Sequence, residues 1–433
     1  MTRRVGEHAI VLGAGISGLL AARVLTDFYD QVTLIERDVL NGDKPRKGVP
    51  QGFHGHALLP RGLQIMEELY PGLTEGMIAG GAVPYEMIVH VRMIMGGFEF
   101  ARIPTGESGV SATRPFLESH ILRRARELDR LVIADRSQVT GLLTEENRVV
   151  GVGVAGEDGP RELRADLVVD AMGRGGRTPA WLEAMGFDRP QEETVKVEVA
   201  YATWYLRLPE AEVAGDRMII VGTYPGRLKG AALCAVEGDR WLVTLGGSAG
   251  VRPPADPEGF LAWLDEVAPA DVAAAVRRGE PLGEIGVARI PTSVRRRYER
   301  LDRFPEGLLV TGDAVCNFNP VYGQGMTVGA LDALALRDSL RDGTRDLAGR
   351  YFAAVARALD SAWQMSTGAD LALREAKDQR TVASRVLNAY LSRLQRVAAR
   401  DSRVAVAFSR VSGLIDPPSA LVRPAVMWRI LRG

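Results

Sequence analysis

Cysteine is scarce in this sequence, since Cys234 and Cys316 are the only two among 433 residues. Two isolated cysteines cannot build the disulfide framework of a small secreted domain, so their scarcity indicates a reducing compartment. Neither sign of charge is in excess, because 54 basic residues balance 54 acidic ones, and no overall field favours nucleic acid. Long apolar runs are missing too, because the best candidate, AIVLGAGISGLLAARVL, is interrupted by glycines and ends at Arg23. We therefore predict a cytoplasmic protein with no nucleic-acid partner and no integral membrane segment.

Histidine is also too thinly spread to predict a metal site. The chain has five histidines, and only His54 and His56 lie close together, without a clustered cysteine or carboxylate. A protein-bound zinc ion needs three or four ligands, which this pair does not supply. We predict no metal, and expect this segment to form a loop beside a cofactor whose phosphates or ring Arg46 and Gln51 could reach.

The chain is rich in apolar residues and long enough for two interleaved domains. Its hydrophobic content of 46% supports a sizeable core.

Near the N-terminus, HAIVL reads as a buried strand, Gly13-x-Gly15-x-x-Gly18 follows it, and a helix and a second strand ending in Glu36 come next. Gly13 permits a tight turn, Gly15 lets the backbone approach a pyrophosphate, and Gly18 lets the helix pack closely on the strand. Glu36 stands where a carboxylate can accept hydrogen bonds from ribose hydroxyls, so the pattern predicts a site for FAD or a nicotinamide dinucleotide.

A second stretch, around residue 311, combines a buried strand, a single acid and a glycine-rich helix entry. The apolar run GLLVTGD ends at Asp313, and Pro320 and a Gly-Gln-Gly at 323–325 follow. From Gly325 onward apolar residues recur at helical spacing. The start of a helix carries about half a positive charge, which favours negative charge on a bound group.

This second stretch closely resembles the second flavin motif of FAD-dependent aromatic hydroxylases and epoxidases. The resemblance implies that Asp313 bonds the ribityl chain of FAD and that Pro320, Gly323 and Gly325 place backbone against the flavin ring. The helix N-terminus would then stabilise the anion that forms when the ring is reduced. The N-terminal glycine turn would hold the ADP half of the same cofactor.

A third segment, RADLVVDAMGRGGRTPAWL, resembles the family segment that contributes to both FAD and nicotinamide binding. The family usually has Gly-Ala-Asp-Gly there, and this chain has Asp170, Ala171, Met172 and Gly173. The thioether at position 172 weakens the expectation of direct NADPH or NADH handling, so a separate flavin reductase is the alternative electron source.

The whole chain is similar to actinobacterial FAD epoxidases and hydroxylases of natural-product pathways, including the polyether epoxidases of monensin and lasalocid biosynthesis. Residues 9–65, 166–182 and 307–335 carry this resemblance most specifically. A family arginine that contacts FAD corresponds to Arg114. The predicted cofactor-binding residues are Gly13, Gly15, Ile16, Ser17, Gly18, Glu36, Arg37, Arg46, Gln51, Arg114, Gly173, Gly312, Asp313, Pro320, Gly323, Gln324, Gly325 and Met326.

Alternating segments in the middle of the chain predict a mainly antiparallel sheet, which in this family covers the flavin and binds substrate. Candidate pocket residues are Met87, Met93, Met95, Trp204 and Tyr224, although each could equally be ordinary sheet core. The predicted fold is α/β, a Rossmann-like FAD-binding domain with an interleaved mainly antiparallel substrate-binding sheet and a C-terminal helical region. The predicted parts are FAD-binding at 1–80, 111–190 and 286–344, substrate sheet at 81–110 and 191–285, and helical region at 345–433.

The resemblance implies an FAD-dependent monooxygenase, in which reduced FAD and dioxygen form a flavin hydroperoxide that transfers one oxygen atom. A large apolar substrate and epoxidation of an alkene are expected, because no base for deprotonating a phenol stands out. The alternatives are an aromatic hydroxylase, a flavin-dependent prenyl reductase and a non-catalytic flavin-binding module. A flavin halogenase would need a Trp-x-Trp-x-Ile-Pro signature that the tryptophans do not supply.

Arginine is concentrated near the C-terminus. Between Arg385 and Arg432 there are nine arginines and only two acids, Asp401 and Asp416. This excess is typical of solvated helix faces, and alternatively of a docking surface for an acidic carrier protein or an anionic membrane.

Overall fold

The computed structural model of the chain describes residues 4–40, 57–157, 159–209, 213, 215–374 and 382–433. The predicted contacts of Arg46 and Gln51, and the pair of His54 and His56, lie outside the described residues. Within the described ranges the chain forms twenty strands and twelve helices, joined by short 3-10 turns.

The strands fall mainly between residues 6 and 317. In chain order they are β1 Gly6–Leu12, β2 Tyr29–Ile35, β3 Ala57–Leu58, β4 Val83–Glu86, β5 Val91–Met95, β6 Phe98–Glu99, β7 Ser108–Ser111, β8 Leu131–Ala134, β9 Gln138–Glu145, β10 Arg148–Gly156, β11 Gly159–Arg164, β12 Leu167–Asp170, β13 Gln191–Arg207, β14 Met218–Val221, β15 Lys229–Val236, β16 Arg240–Gly247, β17 Glu280–Pro281, β18 Gly286–Arg297, β19 Leu308–Val310 and β20 Cys316–Asn317.

The helices are distributed along the chain, and in the described ranges no strand follows β20. They are α1 Ile16–Leu25, α2 Pro60–Leu69, α3 Leu73–Ala79, α4 Arg114–Arg126, α5 Thr178–Ala184, α6 Pro257–Val267, α7 Ala270–Arg278, α8 Gly325–Arg341, α9 Leu347–Arg374, α10 Val382–Ala398, α11 Ser402–Ser412 and α12 Pro424–Arg432. No helix in these described ranges has an apolar stretch long enough to cross a bilayer.

A five-stranded parallel sheet, in the order β19-β12-β1-β2-β8, forms the centre of the first domain. Residues 9–12 of β1 are fully buried, as expected for a parallel strand covered on both faces. Leu12 is level with both Ile35 and Asp170, and Asp170 is level with Val310. Four strands therefore end at one edge of the sheet, where ligands of open α/β folds bind.

The largest antiparallel sheet is built from two separated stretches of sequence. Its order is β20-β18-β13-β16-β15-β14-β5-β6, with β17 beside β13, and the β14–β5 pair is parallel. Helices α6 and α7 cover one face of it through Phe260 and Val276. The C-terminal helices cover the other through Leu394 and Val404. This arrangement confirms the predicted fold class.

The structure divides one alternating segment that the sequence presents as continuous. The alternation from Tyr85 to Met95 predicts sheet, and the structure divides it between two sheets: β4 pairs with β7 in a small three-stranded sheet, while β5 joins the large one. The break lies at Ile88, whose φ of 51° is a left-handed backbone conformation, and His90 Nδ1 accepts from Glu86 N at 2.9 Å across the turn. A tight turn at residues 87–90, built mostly from apolar residues, thus interrupts the strand without interrupting the alternation in the sequence.

Candidate active site

The glycine turn after β1 has the steric requirements expected of each glycine. Gly13 has a φ of +100°, and a Cβ there would lie 2.8 Å from the Ala171 carbonyl oxygen. A Cβ on Gly18 would lie 1.9 Å from the Gly13 carbonyl oxygen, so only glycine lets α1 begin this close to β1. A Cβ on Gly15 would meet nothing within 4 Å. Gly15 is therefore needed neither for packing nor for its backbone angles.

The carboxylate of Glu36 lies against this turn. Its Oε2 accepts from Ala14 N at 2.8 Å, and its Oε1 accepts from Asp38 N at 3.0 Å. The residue is 9% exposed at the end of β2. These contacts orient the carboxylate of Glu36 toward the turn, and each carboxylate oxygen can accept more than one hydrogen bond. The next residue, Arg37, is exposed.

The Gly312 turn after β19 rests on a buried acid that sequence patterns did not identify. Gly312 has a φ of +64°, and its N–H donates to Asp332 Oδ2 at 3.0 Å. Asp332 is 1% exposed on α8, and burial raises its pKa to about 7. A lone acid within the apolar run GALDALAL was the available signal. Asp313 itself points outward, with about a third of its side chain exposed.

Ser17 joins the two glycine-rich segments. A Cβ on Gly312 would lie 2.5 Å from Ser17 Oγ, and a Cβ on Gly329 of α8 would lie 2.4 Å from the same atom. Helix α8 therefore packs against the start of α1 one turn after its own start. The side chain of Ser17 therefore contacts two backbone positions that lie about 300 residues later in the sequence.

The N-terminus of α8 is open in the same way as that of α1. The residue before each helix, Gly15 for α1 and Gln324 for α8, makes no side-chain hydrogen bond to the first turn. A Cβ added at Gly323 or Gly325 would meet nothing within 4 Å. Unpaired N–H groups and the helix dipole make such a terminus suited to an anionic group. Ile16 and Met326 point into the core, so only their backbones are placed to contact a ligand.

The segment after β12 reaches the same place. A Cβ on Gly173 would lie 3.7 Å from Asp313 Cβ, and Arg174 Nε is 3.9 Å from Asp313 Oδ2. Asp170 is fully buried, accepts from Met172 N at 2.9 Å and from Thr178 Oγ1 at 2.5 Å, and burial raises its pKa. The Asp170 carboxylate therefore fixes the turn at residues 172–178 through hydrogen bonds to both of its ends.

A buried polar network holds the loop that contains Pro320. Asn319 Oδ1 accepts from Tyr201 Oη at 2.7 Å, and Asn319 Nδ2 donates to Asp370 Oδ1 at 2.8 Å. Tyr322 Oη donates to the same Asp370 oxygen at 2.9 Å. Burial, and next the charge of Asp370, raise the pKa of Tyr201 and of Tyr322, so both hydroxyls stay protonated as donors. The loop is thereby tied to β13 and to α9.

The sheet face that carries Tyr201 also carries some of the predicted pocket residues. Strand register continues this face from Thr203 across the sheet. The residues in this row are Thr203, Thr244, Ala232, Ile220 and Met93. Met95 lies two residues further along on the same face, since side chains alternate along a strand.

The other predicted pocket residues are dispersed. Trp204 lies on the opposite face, where it packs edge-on against Phe260 at 5.4 Å and donates from Nε1 to the Gly283 carbonyl oxygen. Met87 shares the core cluster beneath the C-terminal helices with Met93, and Met95 packs against that cluster. Tyr224 lies in a tight turn with Arg227. The five residues predicted for one pocket are therefore not all brought together.

Arg114 begins α4, where Thr113 accepts from Phe116 N at 3.4 Å. Its Nε donates to Glu118 Oε1 at 2.9 Å, and both side chains are largely buried. The pair fixes the direction of the guanidinium at the start of the helix. Whether FAD lies within its reach is still a prediction.

The residues present fit a dinucleotide with a reactive ring. Two open helix starts offer N–H groups and positive dipole ends, Glu36 offers acceptors, and Gly15, Gly323 and Gly325 leave space beside the backbone. Each of these features lies at the carboxyl edge of the parallel sheet or in the loop that follows β20.

The comparison with known families agrees with this geometry. The family described as the FAD binding domain matches residues 7–359 of the chain. The match extends from β1 through the first part of α9, and so includes both open helix starts.

Individual relatives extend the comparison. Protein Rv3254 of Mycobacterium tuberculosis is 37% identical over 402 residues, covering 87% of this chain and 83% of the relative. The 6-methylpretetramide 4-monooxygenase of Streptomyces rimosus is 25% identical over 81% of this chain and 80% of its own. The crystal structure of p-nitrophenol 4-monooxygenase from Pseudomonas putida superposes with a TM-score of 0.68 at 15% identity, covering 96% of this chain and 100% of that one.

Proposed function

The chain belongs to the FAD binding domain family, and from that premise we propose that it is an FAD-dependent monooxygenase acting on a large apolar natural-product substrate. Its reaction would be insertion of one oxygen atom of O2, by epoxidation of an alkene. The similarity to 6-methylpretetramide 4-monooxygenase favours hydroxylation of an aromatic ring as the second candidate. The polyether-type epoxidases remain the narrower family that we propose from the sequence.

The observation that carries this proposal is the meeting of α1 and α8 at Ser17. Two uncapped helix starts, each beside a glycine with open space, suit the two ends of one extended cofactor. A simple nucleotide-binding protein needs only the first of them. The second, followed by a loop tied to the sheet at Tyr201, supports a cofactor whose ring faces a substrate surface.

The residues of the site would divide the work as follows. The start of α1 at Gly15 would bind the pyrophosphate, and Glu36 the ribose of the ADP half. Asp313 and Gly173 would lie along the ribityl chain. The start of α8 at Gly325 would stabilise negative charge at the ring, because the dipole of a helix is positive there. Bound FAD, once reduced by the electron donor, would supply the electrons that activate O2, while the protein would supply orientation and a dry cavity.

The proposed substrate surface is the sheet face that carries Ile220, Met93 and Met95. The row that crosses this face from residue 203 to Met93 is apolar apart from the threonines at 203 and 244, which hydrogen bond to each other at 2.9 Å. Such a surface suits a ligand that is large, apolar and fixed by few polar contacts. Asp370 of α9, the acid bonded to this loop, accepts through Oδ1 from both Asn319 and Tyr322, which favours a structural role over that of a base for a phenol.

NADPH or NADH would supply electrons, directly or through a flavin reductase. Met172 cannot accept a strong hydrogen bond where related flavoproteins have a carboxylate, so delivery by a partner is part of the proposal. An acyl carrier protein that presents the substrate is the other proposed partner. We also propose the predicted domain boundaries and a cytoplasmic location, the latter from the scarcity of cysteine.

Turnover in isotopically labelled dioxygen tests the function. The purified protein should be yellow and release FAD on denaturation in about equimolar amount, as expected for one dinucleotide site. With reduced flavin supplied and terminal and internal alkenes offered as substrates, the product should gain one labelled oxygen atom. Consumption of an alkene without oxygen would instead indicate a prenyl-type reductase, and absence of any oxygen uptake would leave a flavin-binding module.

A control variant separates loss of cofactor from loss of fold. Gly141 lies on β9, and like Gly15 it has no atom within 4 Å of an added Cβ. Gly141→Val should therefore retain FAD and turnover, whereas Gly15→Val should lose both. Equal flavin content in the two variants would contradict the assignment of the α1 turn.

A further inference from the structure

Exposed apolar side chains are concentrated in the C-terminal helices. Seven of the thirteen large exposed hydrophobic residues in the described part of the chain lie between Leu371 and Leu431. Four of them occupy a ten-residue segment around α12, with exposures of 37–60%. They are Val422, Met427, Trp428 and Leu431. We call these four side chains, with the arginines around them, the Trp428 surface.

Helix α12 is firmly attached despite this exposure. Ile430 is its fully buried residue, and Arg429 Nη1 pairs with Asp401 Oδ2 at 2.6 Å. From α10, Arg393 donates to the carbonyl oxygens of Ile430 and Leu431 at 2.6 and 2.7 Å. The helix therefore presents its apolar side chains outward from a fixed position, and the exposure is not the result of a detached end.

Arginines surround the exposed indole. Two shallow hollows meet at Trp428, one lined by Arg403 and Arg429, the other by Arg396, Arg400 and Arg432. The guanidinium of Arg432 lies 4.2 Å from the indole ring centre. Arg396 stacks over Phe98 at 5.8 Å, which holds a second positive charge near the surface.

Negative charge is almost absent from this region. Residues 385–432 contain nine arginines and two aspartates, and each aspartate already pairs with an arginine. In the described ranges neither Arg400 nor Arg403 forms an ion pair. The surface thus combines positive charge with apolar side chains that stay exposed in the part of the chain that the structure describes.

We propose that the Trp428 surface docks on an anionic lipid bilayer. A helix with Trp, Leu and Met on one side and arginines around them has the composition of an interfacial helix, which lies in the membrane plane with its apolar side chains among the lipids. Clustered basic residues add attraction to acidic headgroups. An acidic protein would pair with the arginines, but it gives less reason for four aliphatic and aromatic side chains to stand outward on one segment.

The position of the surface relates it to the substrate side of the molecule. Helix α10, which contributes Arg396 and is followed directly by Arg400, also packs through Leu394 and Val397 onto the core cluster that includes Met93. Docking would therefore bring the helical layer over the proposed substrate face to the bilayer, where large apolar molecules are dissolved. Binding does not depend on turnover, so this inference and the proposed function can fail separately.

Vesicle co-sedimentation of the FAD-loaded protein tests the docking. We expect binding to vesicles of phosphatidylcholine mixed with phosphatidylglycerol, little binding to phosphatidylcholine alone, and release at high salt. Arg400→Gln with Arg403→Gln should weaken binding about fivefold for each arginine removed, the factor equivalent to about 1 kcal/mol per basic residue. Trp428→Ser should weaken binding to anionic vesicles by a factor that changes little between low and intermediate salt, because its contribution is apolar.

Matched changes elsewhere serve as controls. Arg161→Gln with Arg252→Gln removes two exposed arginines from other surfaces, and Val287→Ser removes a side chain that is 61% exposed on β18. These variants should bind vesicles like the parent, and all variants should keep their flavin absorbance. Equal binding to neutral and anionic vesicles, or unchanged binding of the Arg400 and Trp428 variants, would overturn the proposal. The proposal would also be overturned if the protein did not bind vesicles and instead bound an acidic acyl carrier protein through these arginines.

Discussion

At the scale of single residues, Gly15 and Gly18 belong to one motif but have different surroundings. A Cβ at Gly18 would overlap the Gly13 carbonyl oxygen at 1.9 Å, whereas one at Gly15 would meet no protein atom. We expect Gly18→Ala to destabilise the flavin-free protein by about 3 kcal/mol, the upper range for overpacking. Gly15→Val should leave the unfolding free energy of the flavin-free protein unchanged and abolish FAD retention. Denaturant unfolding together with flavin release measures both, and equal destabilisation by the two changes would contradict this division.

The buried carboxyl of Asp332 should make the stability of the protein depend on pH. Burial raises its folded-state pKa to about 7, well above the usual value for an aspartate. From about pH 4 to pH 7 the unfolded chain has released this proton while the folded protein keeps it, so this group's contribution to stability falls as pH rises and is constant above about 7. We expect Asp332→Asn to become more stable relative to the parent across that range, and the difference to level off above it. A difference between the two unfolding free energies that does not vary with pH would refute the assignment.

At the scale of elements, the loop containing Pro320 depends on two distant partners. Tyr201 on β13 and Asp370 on α9 bond opposite ends of the Asn319 amide. We expect Tyr201→Phe and Asp370→Asn to be non-additive, with a coupling of about 0.5–3 kcal/mol in both stability and the rate of oxygen transfer. Tyr85→Phe removes a buried hydroxyl bonded to the Leu58 carbonyl oxygen, away from this loop, and should add independently to Asp370→Asn. If the effects of Tyr201→Phe and Asp370→Asn simply added, the loop would not couple the two residues.

The elements also show where sequence patterns were sufficient. The first βαβ unit and the strand before Asp313 have local signals, namely apolar period and glycine spacing, and the structure confirms these elements. The meander of β9, β10 and β11 was not predicted, because its strands alternate weakly and are partly exposed. Period alone indicates that Tyr201 and Trp204 face opposite sides of β13. It does not say which side faces the cofactor, because that depends on contacts with residues more than a hundred positions away.

At the scale of the whole molecule, Met172 affects how electrons reach the flavin, because it stands where the related flavoproteins usually have an aspartate. We expect slow reduction of the bound flavin by NADPH or NADH alone, and faster turnover when reduced flavin or a reductase is added. The reason is that the Met172 thioether cannot accept the strong hydrogen bond that a carboxylate would. Stopped-flow reduction under anaerobic conditions measures this directly. Rapid reduction by NADPH that is stimulated by substrate would contradict the expectation.

The strand order of the parallel sheet has a consequence for biosynthesis. The edge strand β19 and the helix that packs on Ser17 are made long after β1, since they lie at 308–310 and 325–341. A ribosome releases the chain from its N-terminus, so the first glycine turn emerges well before its partner does. We expect stalled nascent chains ending before Gly312 to leave FAD in solution, and chains long enough for Arg341 to have left the ribosome to retain it. Cofactor loading would then be a late event in synthesis, and a cell short of riboflavin would accumulate complete, flavin-free chains.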